Sequence, residues 1–282
     1  MEIVTNVRED GALRAQLNAL TRLTYGFDFE EWYRVGHWGG RYIPHSLLAD
    51  GELVSNVSIN IMDCAVDGEP MRLIQLGTVM THPAHRGKGY CRLLMERVIA
   101  EWLPRCDGMY LYPNDTVQQF YPKFGFRPAT EYRYRTAGPV RGVGGARPVS
   151  PKDARAWRRF AGAVGRAAPQ GRVWVDNPGL VLFYANGENV FWLPELDAYA
   201  IAERTAEGLM LHQLIAGHPV DAMAAARLLG GGATVRFGFP PEDVSGLVCE
   251  PYGEEEISVF AMGEGFRTLE RRRLGMPTLS HA

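Results

Sequence analysis

Between Leu73 and Met95 the chain reads LIQLGTVMTHPAHRGKGYCRLLM, and this order constrains the fold more than any other stretch. Leu73, Ile74, Leu76, Val79 and Met80 form an apolar, partly β-branched run of the kind a buried strand shows. Pro83 ends the ladder, having no N–H to donate. Arg86-Gly87-Lys88-Gly89 follows, then a helix from Tyr90 to about Trp102, with Leu93, Leu94, Val98 and Ile99 in one broad stripe. The first turn of a helix has unpartnered N–H groups and a partial positive charge. Glycines remove the Cβ atoms that would hold a phosphate away from those groups, and Arg86 and Lys88 add full charges. A bare Gly-Lys-Gly is more often an ordinary turn. Here the strand before it and the amphipathic helix after it supply the context of a pyrophosphate site.

Two common phosphate loops are excluded. A P-loop needs Lys followed by Ser or Thr, and Lys88 is followed by Gly89. A Rossmann fingerprint needs a third glycine where Arg92 stands. A net charge of −2 argues against a nucleic-acid binder that relies on bulk charge. The stretch MEIVTNVRED has neither the basic nor the apolar region of a signal peptide, and no apolar run approaches the roughly 20 residues of a membrane helix. Cys64, Cys91, Cys106 and Cys249 are widely spaced and form no metal-ligand cluster. They read as reduced thiols of a cytoplasmic protein with no metal, no nucleic acid and no membrane among its partners. Oligomeric state stays open, a homo-oligomer included.

Along the chain, a short strand at 1–7 and a helix from Glu9 to about Thr24 precede an aromatic segment, Tyr25 to Tyr42, that contains Asp28, Glu30 and Glu31. A short helix is expected there with Asp28 as N-cap. The acids suggest attraction of a cationic amine, and some of the aromatic rings suggest a pocket wall. A hairpin turning at Asp50-Gly51 and the strand of the opening stretch give three antiparallel strands leading into the glycine loop. Gly108–Tyr112 and Arg127–Arg135 read as strands. The Gly/Pro-rich run 138–150 reads as a linker between a domain at 1–137 and another at 151–282. In the second domain a helix is expected to about Val164, then strands including 172–176 and 180–186, an alanine-rich helix over 219–229, and strands at 234–239 and 257–262.

Arg86, Gly87, Lys88, Gly89, Tyr90 and Cys91 resemble motif A of the GNAT (Gcn5-related) N-acetyltransferase superfamily, with Cys91 where Gly or Ala is usual. The segment from Asn114 to Phe126 resembles motif B, with Asn114 seven residues before Tyr121 and a Phe124-Gly125-Phe126 ending. The resemblance implies α/β (α+β) architecture: a GNAT fold with a mixed, mostly antiparallel central sheet flanked by helices, then a second, degenerate GNAT-like α+β domain. No second glycine loop occurs after residue 140. A tandem arrangement of this kind resembles the enhanced-intracellular-survival (Eis) group of bacterial acetyltransferases, without their third domain.

The resemblance also implies acetyl-CoA as co-substrate and an amine as acceptor, a small cationic molecule such as a polyamine or an aminoglycoside-like compound. A protein or peptide N-acetyltransferase and a non-catalytic CoA-binding sensor are the alternatives. Val79, Met80 and Thr81 would hold the pantetheine arm. Arg86 to Cys91, Asn114, Thr116 and Tyr121 would complete the CoA contacts, with Tyr121 protonating the departing thiolate. The base is drawn from Glu31, Asp28, His45, His82 and the Ala282 carboxylate. Cys91 and Cys106 show no His/Asp relay in sequence, which argues against a covalent acetyl-enzyme.

Overall fold

The computed structural model describes residues 1–5, 7–114, 117–252 and 259–281. Thr116 and Ala282, two of the expected site residues, lie outside the described residues.

The first half is built from β1 (Glu2–Thr5), α1 (Gly11–Tyr25), α2 (Glu30–Arg34), β2 (Tyr42–Ala49), β3 (Glu52–Val66), β4 (Glu69–Thr81), α3 (Tyr90–Trp102) and β5 (Gly108–Leu111). Asp10 caps α1, accepting from the N–H groups of Ala12 and Leu13. Asp50 (φ 53°) and Gly51 (φ 84°) make the turn between β2 and β3, both in the left-handed region that a two-residue hairpin requires. On α3, Leu94, Met95 and Val98 are fully buried against Ile59, Ile74, Leu76 and Met109 of the sheet. Each such side chain contributes on the order of 2 kcal/mol.

The chain continues through β6 (Arg127–Ala129), β7 (Glu131–Thr136), β8 (Val140–Arg141), β9 (Arg147–Pro148), α4 (Ala154–Val164), β10 (Val173–Val175), α5 (Pro178–Tyr184), β11 (Val190–Leu193), β12 (Ala198–Thr205) and β13 (Gly208–Ile215). It closes with α6 (Ala222–Leu228), β14 (Gly231–Gly232), β15 (Thr234–Phe237), β16 (Leu247–Tyr252), β17 (Val259–Gly263) and α7 (Glu264–Arg271). One sheet runs β1-β2-β3-β4-β5-β17-β6, with β10 also paired to β3, a second runs β16-β7-β15-β13-β12-β11-β9, and β14 pairs with β8 in a small third. Both large sheets are mixed, mostly antiparallel and flanked by helices.

Sheet membership crosses the middle of the chain in both directions. Strand β17, late in sequence, pairs with β5 and β6 of the first sheet, while β7 joins the second. The stretch Arg127–Arg135, expected as one strand, breaks at Thr130 into two strands in different sheets. The stretch 180–186, expected as a strand, is instead largely helix α5. Asn177 caps it by accepting from Leu180 N–H, and Pro178 occupies the first helical position, where its missing N–H costs nothing. Asp28 does not cap α2. Phe29 is the N-cap, and Asp28 accepts from Glu30 N–H just outside it.

One pairing opens the site. Strands β4 and β5 run parallel but are in register only at Leu73–Gly108, Ile74–Met109 and Gln75–Tyr110. Beyond that point Leu76 to Thr81 on one side and Leu111, Tyr112 and Asn114 on the other face each other across a cleft.

Candidate active site

The cleft has a volume of about 1330 Å³. That exceeds the several hundred Å³ of a drug-sized pocket and leaves room for a long cofactor arm together with a second substrate. Val79, Met80, Thr81, Arg86, Gly87, Gly89, Tyr90, Cys91, Asn114 and Tyr121, scattered over more than forty positions, all line it. Lys88 does not line the cleft. Its Nζ lies 3.4 Å from Nδ1 of His85, which does.

The glycine loop fits a pyrophosphate. Gly87 (φ 77°) and Gly89 (φ 81°) are in the left-handed region, and nothing lies within 4 Å of where their Cβ atoms would be. Gly89 is the N-cap of the 13-residue helix α3 and carries no side chain to satisfy the first N–H groups. Tyr90, Cys91 and Arg92 of that first turn line the cleft with Arg86, a setting that favours an anion.

Beside the loop, β4 is distorted. Asn56 pairs with Met80 and Ser58 with Gly77, so Thr78 and Val79 together oppose a single residue of β3. Thr78 adopts φ 43°, a costly conformation for a β-branched residue. The surroundings fix it. Tyr42 Oη lies 2.6 Å from Thr78 Oγ1, which donates to Ser58 Oγ at 2.8 Å, and Ser58 Oγ donates back to Tyr42 Oη at 2.9 Å. Asn56 Nδ2 donates to the Thr78 carbonyl at 3.0 Å, and Tyr25 Oη to the Val79 carbonyl at 3.1 Å. A strained segment fastened this thoroughly is pre-organised. It turns the backbone of Thr78 and Val79 out of the ladder at the cleft wall, where N–H groups can meet a carbonyl oxygen.

Tyr121 opens a 3₁₀ turn, Tyr121–Phe124, and is 5% exposed, packed on Phe120, Phe126 and Phe260. Burial pushes its phenol well above the ordinary range, so the proton stays on until a strong base appears. Burial also pushes the Cys91 thiol up to about 11, which leaves no thiolate for a covalent acetyl intermediate.

The side chains named as bases lie elsewhere. Glu31 is 70% exposed and bonded to Arg34 at 2.7 Å, which holds its carboxyl below the usual range and makes it a weaker base. Asp28 accepts from Glu30 N–H and pairs with Arg22, and both interactions hold its carboxyl below the usual range. His45 is 1% exposed beside Glu101 and Trp102, behind the sheet, and burial keeps it neutral. His82 Nδ1 accepts from Ala84 N–H at 3.3 Å. None of these four lines the cleft.

Sequence reasoning missed the far wall. Leu180, Phe183 and Tyr184 of α5 line the cleft together with Phe27, Phe29, Trp32 and Tyr42, the Phe183 ring packing on Phe27, Phe29 and Trp32. Trp32 Nε1 donates to the Gly179 carbonyl at 2.8 Å. A Cβ at Gly179 would sit 2.3 Å from the His37 carbonyl, so glycine is what lets the helix dock this closely. The Asn177-Pro178 pair, a cap followed by proline, was the available signal for this helix. The tail also reaches the wall: Tyr184 Oη donates to the His281 carbonyl at 2.5 Å, and the His281 ring stacks on Tyr112 at 3.9 Å. Among the described residues no group of three His, Cys, Asp or Glu could hold a metal ion, and no helix is long and apolar enough to cross a membrane.

Residues 9–129 match the family described as acetyltransferase (GNAT) domain. No curated protein matches the chain significantly. Among solved structures, Eis1 from Mycobacterium abscessus is similar at TM-score 0.55 and 19% identity, over 92% of this chain and 73% of that one. A GCN5-related N-acetyltransferase from Kribbella flavida is similar at 0.54 and 19%, over 93% and 72%. A probable N-acyltransferase from Enterococcus faecalis V583 is similar at 0.56 and 13%, over 93% and 72%. At these identities the likeness is one of fold, and it extends across both halves. The family match adds the chemistry, acetyl transfer from acetyl-CoA. Residues 9–129 thus match a GNAT acetyltransferase domain, and the chain as a whole has a fold similar to that of Eis1, two GNAT-like units in one chain.

Proposed function

We propose that this chain moves an acetyl group directly from acetyl-CoA to a primary amine of a small molecule. The observation that carries the reading is a single cleft that joins the loop of Gly87 and Gly89 to Tyr121 and ends against aromatic residues from both halves of the chain. Gly87, Gly89 and the first turn of α3 take the pyrophosphate, with Arg86 beside them. Val79 and Thr81 hold the pantetheine by main-chain groups, and an N–H of the β4 bulge polarises the thioester carbonyl. The neutral amine attacks that carbon. The tetrahedral intermediate collapses, the carbon–sulfur bond breaks, and Tyr121 delivers its proton to the thiolate. The Ala282 carboxylate stays in the proposal as the base. Glu31 drops out of it, because its carboxylate is engaged with Arg34 away from the cleft.

A wall closed by α5 supports a small acceptor over a protein. The polycationic acceptors that the sequence suggested are not favoured, since Asp28, Glu30 and Glu31 are engaged with Arg22, Arg14 and Arg34. The test is Tyr121→Phe. Its kcat for amine acetylation, read by thiol release, is expected to fall by about 10²-fold or more, the usual worth of a general acid. The dissociation constant for acetyl-CoA should stay within a few fold. An unchanged kcat removes the role from Tyr121.

A further inference from the structure

The identity of the acceptor is written partly in one buried amide. Asn60 lies on β3, is 1% exposed, and lines the cleft. Its orientation is fixed from the other half of the chain. Asn177 must turn its Oδ1 toward Leu180 N–H to cap α5, which leaves its Nδ2 as the donor to Asn60, 3.0 Å from Asn60 Oδ1. With Oδ1 of Asn60 committed in this way, its Nδ2 faces the other direction. That nitrogen is sealed from solvent and has no hydrogen-bond partner among the described residues. A buried donor left unmatched is costly, and a ligand oxygen that accepts from it removes the cost.

Large aromatic rings line the same cleft. Phe27 is 42% exposed although its ring lies 5.4 Å from Phe29 and 6.2 Å from Phe183. Large apolar rings left open in a cleft wait for an apolar partner.

Building on the amine acetylation proposed above, we infer that the acceptor is a small amine with an aromatic or branched apolar body and one hydrogen-bond-accepting oxygen. The body packs on Phe27 and Phe183, and the oxygen accepts from Asn60 Nδ2. A site built to bond a substrate oxygen rejects the analogue that lacks it, because the donor then stays buried and unpaired.

The full chain with acetyl-CoA is assayed by thiol release on five probes: 2-phenylethylamine, its 4-methoxy derivative, phenylalaninamide, spermidine and tobramycin. At least one oxygen-bearing aromatic amine is expected to show kcat/KM tenfold or more above 2-phenylethylamine and above both polycations. Asn60→Asp keeps an oxygen for Asn177 and turns the free donor into an acceptor. It should remove that tenfold advantage by raising the KM of the oxygen-bearing amine, with the KM for acetyl-CoA unchanged. Asn60→Ala, the second variant, should abolish the same discrimination. Preference for spermidine or tobramycin, equal turnover of the three aromatic amines, or discrimination that survives both substitutions overturns the inference and leaves amine acetylation standing. Thiol release with none of the five overturns both.

Discussion

Gly89 shows how a single residue can be read from sequence and then sharpened by structure. It holds φ 81° at the start of α3, and a methyl group there would touch nothing in the protein. The cost of Gly89→Ala is therefore conformational, roughly 1 kcal/mol for a left-handed alanine, or a fall of about 2–4 °C in Tm. Its larger effect should appear with acetyl-CoA, whose phosphates would meet the new Cβ. KM for acetyl-CoA is expected to rise at least tenfold with the acceptor KM unchanged. Thermal melting and steady-state kinetics at saturating amine check the two halves separately, and an unchanged KM would place the pyrophosphate elsewhere. That Gly89 and Tyr121 come to one cleft was legible because motif spacing is local. Asn60 was not, since its orientation depends on Asn177, 117 residues away. Glu31 misled for a similar reason. Its charge suggested the pocket, but Arg34 three residues on gives it a nearer partner on the same exposed turn.

Among the elements, α5 was misread and matters most. LVLFYAN is rich in β-branched and aromatic residues, which favours a strand by propensity. Capping overrode that preference: Asn177 supplies the N-cap oxygen and Pro178 the preset first turn. The same helix then brings Leu180, Phe183 and Tyr184 to the cleft. Asn177→Ala removes the cap and leaves Asn60 Oδ1 without its donor. Asn177→Ser removes the donor to Asn60 but keeps an oxygen able to cap. The serine variant should therefore be more stable than the alanine variant by about 1 kcal/mol, the usual worth of an N-cap. Denaturant unfolding measures the difference, and equal stabilities would mean that packing of Trp32 on Gly179, not the cap, holds the helix. By contrast, α3 and the β2–β3 hairpin were legible to within a few residues, because a glycine loop and an Asp-Gly turn mark their ends.

The whole molecule is closed by its last described residues, and no local pattern announces this. Strand β17 enters the first sheet between β5 and β6, long after both in sequence. The chain then runs to a tail in which Leu274, Met276, Leu279 and Ser280 are buried. Glu131, 2% exposed, ties the tail down by accepting from Met276 N–H at 2.7 Å and from Tyr112 Oη at 3.0 Å. His281 ends the described tail with its Nε2 shut away from solvent and without a partner among the described residues. Burial lowers its pKa to about 4, with Glu131 pulling weakly upward and Arg133 downward. The folded state thus holds His281 neutral at pH values where the unfolded chain, with a pKa near 6.5, takes up a proton. Its contribution is fully present above pH 6.5 and is lost as the pH falls from there toward 4, at up to about 1.4 kcal/mol per pH unit. Replacing His281 by Phe keeps a ring on Tyr112 and removes the titration. The stability of His281→Phe relative to the parent should be flat above pH 6.5 and should move in favour of the variant as the pH drops toward 4. Denaturant midpoints across that range give the measurement. Parallel curves for the two proteins would mean that the tail leaves its site, and hydrates the imidazole, before global unfolding begins.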